Sequence, residues 1–142
     1  MALPRALEAR PFYQSAWQRL EDARYLLDVK RTTGAIYLAG YAVECMLKAL
    51  VLAATPPGRR RAVVDSFRGA KAHDFDWLRA LYLRAGGAPL PPAVVRAFAV
   101  VNRWTTVLRY QARAAKWAEA QLFFGAGTPN HRLGGCEDVT CP

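Results

Sequence analysis

Cysteine and histidine are scarce in this chain, with three and two among 142 residues. Two histidines, His73 and His131, give no Ser/His/Asp pattern to argue from. Three cysteines, one of them (Cys45) inside an apolar stretch, make no disulfide framework, so a reducing cytoplasm is the expected compartment. The sequence contains no Asn-Gly or Asp-Gly step between alternating segments, and strand signals are poor throughout. The glycine-rich pieces "GGAP" and "GAGTPN" lack both a lysine and a strand-then-helix context, which excludes a phosphate-cradling loop. The first residues have no basic start followed by an apolar run, as a secretory leader would. Acidic residues are outnumbered: 11 Asp+Glu face 20 Lys+Arg, for a net charge of +9. That excess suits solubility, and equally a surface that meets phosphate backbones or an acidic partner.

What is abundant is alanine, leucine and arginine. With 53% hydrophobic and 22% charged residues, the chain is neither disordered nor fibrous. Its length suits one domain with one core. The longest apolar stretch, "GAIYLAGYAVECMLKALVLAA", runs from Gly34 to Ala54. Glu44 and Lys48 interrupt it well short of the ~20 apolar residues that a bilayer requires, so a membrane span is not expected. Helical steps divide it into an Ile36/Gly40/Val43/Leu47/Leu50 face and a Leu38/Ala42/Cys45/Ala49/Leu52 face. Tyr37, Tyr41, Glu44 and Lys48 are left together as its one polar stripe. Such a helix is a central rod, packed by neighbours on most sides. Glu44 and Lys48 form an i,i+4 pair with the acid N-terminal, worth ~0.3–0.5 kcal/mol if exposed. A narrow solvated stripe and a functional or interface role are both consistent with that spacing.

Other helices are expected on either side. "PFYQSAWQRLEDARYLLDVK", Pro11 to Lys30, places Tyr13, Ala16, Leu20, Ala23 and Leu27 on one stripe. "TPPGRRR" ends the rod and presents three arginines, as a solvated loop or a phosphate-contacting one. A short helix over Ala62–Phe67 follows, then a turn in which Asp74 caps a helix from Phe75 to Leu83. Further helices are expected over Ala93–Tyr110 and Ala112–Phe124. The expected architecture is all-α, an antiparallel four- to five-helix up-down bundle over residues 1–124, with a flexible tail over 125–142. His131, Cys136 and Cys141 stand five apart in that tail, a poor match to a structural zinc site, and no metal or cofactor is expected. Trp17, Trp77, Trp104 and Trp117 occupy helical positions, as core or interface residues would.

"YLAGYAVECMLKALVLA" resembles the second-helix signature of HEPN domains, the small helical modules of prokaryotic toxin–antitoxin and defence systems. "FYQSAWQRLEDARYLL", "AHDFDWLRAL" and "WTTVLRY" follow the family's order as first helix, His-Asp start of the third, and end of a later helix. The resemblance covers about Phe12 to Tyr110 and implies a four- or five-helix bundle that commonly forms a homodimer. Many HEPN domains are metal-independent RNases, using an arginine and, with four to six residues between, a histidine of a late core helix. The histidine serves the ribose 2′-hydroxyl as acid or base, and the arginine stabilises charge on the phosphate. Here the late helix reads "NRWTTVLRYQARAAK": Arg103 opens it like the motif, but Tyr110 stands where a histidine would, with a usual pKa near ~10. The one formal match is Arg68 with His73, in a turn before the third helix, where the family has a structural His-Asp start.

The expected function is therefore that of a HEPN-type nucleotide-, RNA- or partner-binding component of a toxin–antitoxin system, beside a small nucleotidyltransferase partner. Tyr37, Tyr41, Glu44, Lys48, Arg103, Arg109 and Tyr110 are the expected contacts. The alternatives are a metal-independent endoribonuclease using Arg68 and His73, and a dimeric bundle with no nucleic-acid role.

Overall fold

The computed structural model describes residues 3–92, 94–95 and 115–127, and all of their regular structure is helical. The expected helix over Ala93–Tyr110 lies almost wholly outside the described residues, as do Arg103, Arg109, Tyr110, Trp104 and residues 128–142. Five α-helices are described: α1 Arg10–Asp28, α2 Thr32–Ala54, α3 Arg60–Ser66, α4 Phe75–Arg84 and α5 Trp117–Gly127. Short 3₁₀ turns at Leu7–Ala9, Pro57–Arg59 and Ala70–His73 connect or precede them.

α1 and α2 form a helical hairpin. The chain reverses at Lys30, a non-glycine residue with φ of 59°. Lys30 N donates to Leu27 O at 2.9 Å and Arg31 N to Leu26 O at 2.7 Å, the paired bonds of a Schellman end. These bonds satisfy the last carbonyls of α1 and outweigh the left-handed cost to a side chain of about 1–2 kcal/mol. Thr32 and Thr33, which precede the expected start of the rod at Gly34, open α2 and tie down a distant segment. Thr32 Oγ1 donates to Ala115 O at 2.6 Å, and Ala115 N donates to Thr33 Oγ1 at 2.8 Å. One turn on, Glu119 Oε2 accepts from Lys116 N at 2.9 Å, half of a capping box that starts α5.

α2 is the innermost rod. Ala35, Ile36, Ala39, Ala42, Leu47, Ala49, Val51 and Leu52 are all buried along it, against α1, α4, α5 and the Leu7–Ala9 turn. Two packed groups share this rod. One gathers Ala23, Ile36, Ala39, Leu47, Phe75, Leu78, Ala120 and Phe123; the other gathers Ala6, Ala9, Ala49 and Leu52. Phe67 packs against both and joins them. Leu52, Leu78 and Val51 lose essentially all contact with water, a gain of about 1.5–3 kcal/mol each. α2 is long and apolar enough to cross a bilayer, but 61% of its most apolar window is buried within the structure, as a core helix requires.

Other boundaries differ from expectation as well, α5 among them, which begins at Trp117 rather than Ala112. α3 begins at Arg60 rather than Ala62, because Arg60 is held in place: its Nε donates to Thr55 O at 3.0 Å and its Nη1 lies 3.6 Å from Glu8. α5 continues to Gly127, past the point where the tail was expected to begin.

Candidate functional site

The polar residues of α2 do not form an open seam. Glu44 and Lys48 are both buried, and Lys48 Nζ sits 2.6 Å from Glu44 Oε1. This removes the solvated-stripe alternative, since both side chains have left water. The physical reason is coverage by aromatic rings. Lys48 Nζ lies 5.5 Å from the centroid of the Phe67 ring, within range for a cation–π contact. Phe67 is in turn held edge-on by Phe12 at 5.5 Å and by Trp77 at 6.5 Å. Tyr37 and Tyr41 are half-buried; their hydroxyls are 3.2 Å apart and their rings meet edge to face at 5.0 Å.

The second oxygen of the buried carboxylate leads outward. Glu44 Oε2 is 3.0 Å from His73 Nδ1, although the two residues are 29 positions apart. Glu44 is 3% exposed in its side chain, Lys48 9% and His73 42%. A carboxylate only accepts hydrogen bonds, so the ring proton on that side belongs to Nδ1. In the neutral ring Nε2 then carries the free lone pair. The buried acid thus holds one internal cation and fixes the orientation of one surface imidazole.

Local sequence explains how His73 arrives there. Gly69, with φ of 70° and ψ of −170°, makes a turn that a side chain would strain. The Ala70–His73 turn follows and buries Ala72 as its anchor. Asp74 then starts α4, its Oδ1 accepting from Trp77 N at 2.9 Å, as expected of an N-cap. Phe75 and Leu78 dock that helix onto α2 and fix the approach of His73 to Glu44.

The chain segment leading to His73 is basic, and the exposed acids Asp74 and Asp76 follow it directly. Arg59, Arg61, Arg68, Lys71 and His73 are exposed within fifteen residues of chain, with Asp65 the acid among them. Arg61 Nε and Arg68 Nη2 approach Asp65 at 3.6 and 3.7 Å, and both arginines are more than four-fifths exposed. Arg68 and His73 therefore have different attachments, one to Asp65 on α3 and the other to the core through Glu44. Sequence reading missed the Glu44–His73 link. Its only trace was a carboxylate on an otherwise apolar rod, in a chain with two histidines. Among the described residues no three His, Cys, Asp or Glu side chains gather as a metal would require.

An all-α bundle wound on a central apolar rod, with a His-Asp start to the helix that closes on it, defines the class. A family model described as the HEPN domain matches residues 9–121. The chain belongs to the HEPN family. No curated protein and no solved structure matches it significantly.

Proposed function

We propose that this HEPN protein is the RNA-binding component of a prokaryotic toxin–antitoxin or defence module in a reducing cytoplasm. The reading rests on one observation: the Arg59–His73 segment turns four cations and an imidazole to solvent against the single acid Asp65. Such a surface neutralises backbone phosphates without needing to read bases. α3 and its C-cap are a suitable carrier because Val63, Val64 and Phe67 pack on the core while Arg61, Asp65 and Arg68 stay exposed. A homodimer and a small nucleotidyltransferase partner belong to the same proposal. Arg103, Arg109 and Tyr110, outside the described residues, belong to the same proposal as RNA contacts.

The test is fluorescence anisotropy of a labelled single-stranded RNA against salt. Affinity should fall steeply, and the variant carrying Arg59→Ala, Arg61→Ala, Arg68→Ala and Lys71→Ala should lower the log–log slope by about 0.7 per lost contact. A slope near zero for the wild-type protein would defeat the reading. Co-purification with an adjacently encoded nucleotidyltransferase at micromolar concentration tests the partner.

A second reading, metal-independent RNA cleavage, is favoured by the Glu44–His73 hydrogen bond. With Nδ1 bound to Glu44, Nε2 can take the proton of a ribose 2′-hydroxyl while Arg68 stabilises charge on the phosphorus. The 2′-oxygen attacks, the 5′-oxygen departs with a proton, and a 2′,3′-cyclic phosphate remains. Cyclic-phosphate ends formed in EDTA, and absent with His73→Ala, would establish cleavage; intact RNA supports the binding reading.

A further inference from the structure

Both oxygens of the Glu44 carboxylate are engaged. Oε1 holds Lys48 Nζ at 2.6 Å, and Oε2 stands 3.0 Å from His73 Nδ1. The carboxylate is 3% exposed in its side chain and the imidazole 42%. One ring nitrogen of His73 is thus committed to the core, and Nε2 is what the ring has left to offer a ligand.

A carboxylate has no proton to give, so Nδ1 carries one for as long as this bond lasts. In the neutral ring Nε2 is then an acceptor only. It meets the oxygens of a phosphate lone pair to lone pair and makes no bond with them. One added proton turns Nε2 into a donor without disturbing Nδ1, and places a positive ring between two anions, Glu44 inside and phosphate outside. A histidine without such an anchor escapes this choice, because its neutral ring can carry the proton on Nε2.

The charges around the ring sharpen this dependence. From α2, Glu44 stands against it, with Lys48 on the other oxygen of the same carboxylate. On its own segment Arg68 and Lys71 are exposed and attract phosphate. On the α4 side Asp74 and Asp76 are exposed, and the Asp74 carboxylate accepts from Trp77 N at 2.9 Å. While the ring is neutral, these two acids make the His73 end of the segment its least favourable part for an anion. A positive ring offsets one of them.

Resting on the RNA-binding reading above, we propose that His73 contacts RNA phosphate only as the imidazolium, so that RNA binding takes up as much as one proton at this ring. Histidine is the side chain whose charge ordinarily changes between pH 5 and 8. The basic segment then holds RNA with one more contact in mildly acidic solution than in mildly alkaline solution. Glu44 is the positioning residue, because it fixes which nitrogen is left for the ligand.

The experiment follows labelled single-stranded RNA by fluorescence anisotropy at pH 5.5 and pH 8.0, with the full chain and with His73→Gln. On acidification, affinity should rise about tenfold more in the wild-type protein than in His73→Gln, the worth of one charge-assisted hydrogen bond. His131 and the RNA are common to both titrations and cancel. The log–log salt slope should also steepen by about 0.7 more in the wild-type protein, which marks the gain as a phosphate contact. The anchor is tested by Glu44→Gln combined with Lys48→Met, which leaves neither charge alone in the core, with circular dichroism to check the fold. An amide can donate to Nδ1, so the neutral ring carries its proton on Nε2 and binds phosphate without proton uptake. The extra pH dependence should disappear, and binding at pH 8.0 should tighten about threefold. Imidazole nitrogen spectra of the free protein at pH 8.0 should place the His73 proton on Nδ1. A proton on Nε2 would overturn the proposal, as would equal pH dependence in the wild-type protein and His73→Gln, or binding that weakens on acidification. Each of these outcomes leaves the RNA-binding reading standing, whereas an absence of RNA binding at both pH values removes that reading and this one with it.

Discussion

Glu44 and Lys48 on α2, and Arg61 and Asp65 on α3, are each an oppositely charged pair at i,i+4 spacing. The first closes to 2.6 Å inside the core; the second stands at 3.6 Å with Arg61 87% exposed. The difference lies in what surrounds each pair. Phe67, braced by Phe12 and Trp77, covers the Lys48 end of the first, so both charges have left water; they depend on each other, and Glu44 also on His73. The second remains in water, where screening reduces such a pair to about 0.2–1 kcal/mol. Burial therefore turns the same spacing into a structural constraint in one place and leaves a surface available to phosphate in the other.

The largest effect should come from breaking the inner pair on one side. Glu44→Ala leaves the Lys48 ammonium buried without a counter-charge and releases His73. A loss of about 3–5 kcal/mol is expected, read as a lower midpoint in urea at unchanged slope. A loss below about 1 kcal/mol would mean that water reaches Lys48 and that the two pairs are alike. The double variant Glu44→Leu with Lys48→Met sharpens the contrast. Removing both charges removes the desolvation cost along with the attraction, so its stability should lie within about 2 kcal/mol of wild type. His73, being surface-exposed, can exchange its carboxylate for water. If the double variant were as unstable as the sum of the singles, Glu44 and Lys48 would be acting through separate contacts.

Helix periodicity made much of this legible, and it also set the limit. α2 was readable from Gly34 to Ala54 because its apolar residues recur on every side, which only a central helix tolerates. Asp74 was readable as a cap because its role is local, a bond to a backbone N–H three residues on. Whether Glu44 and Lys48 face water or protein was not readable, since i,i+4 spacing is the same in both environments. The deciding contacts come from Phe67 and His73, far along the chain. For the same reason the clasp of Thr32 and Thr33 on Ala115 was not readable.

Cys45, next to Glu44 in the chain, extends the comparison to a group that reports chemically. Burial pushes its thiol above the usual range and the Glu44 carboxylate pushes the same way, with Lys48 and Arg19 opposing. Less thiolate is then available at neutral pH than in the unfolded chain. Alkylation of Cys45 by iodoacetamide at pH 8, followed by peptide mapping, should be at least about tenfold slower in the native protein than in denaturant, and should accelerate as pH rises. The folded thiol keeps its proton to a higher pH than the unfolded one. Its contribution to stability is thus fully present below the unfolded pKa and is lost as pH climbs through the folded one. Equal alkylation rates in the two states would place Cys45, and the helix face beside Glu44, in water.

The smallest effect on stability, and the most informative for function, is expected from Asp65→Asn. Its carboxylate lies near both Arg61 and Arg68, but at 3.6 and 3.7 Å and largely in solvent, so unfolding should change by no more than about 0.5 kcal/mol. RNA affinity should move the other way, tightening about two- to threefold at low salt, because two guanidinium groups are released from a competing anion. The salt slope should steepen by up to about 1.4 if both arginines gain a phosphate. In the inner pair, removing the acid damages the fold; in the outer pair, removing the acid should strengthen the interaction that the basic segment is proposed to make. Weaker RNA binding in Asp65→Asn would mean that Asp65 orders the arginines rather than competing with their ligand, and the outer pair would then be a structural element like the inner one.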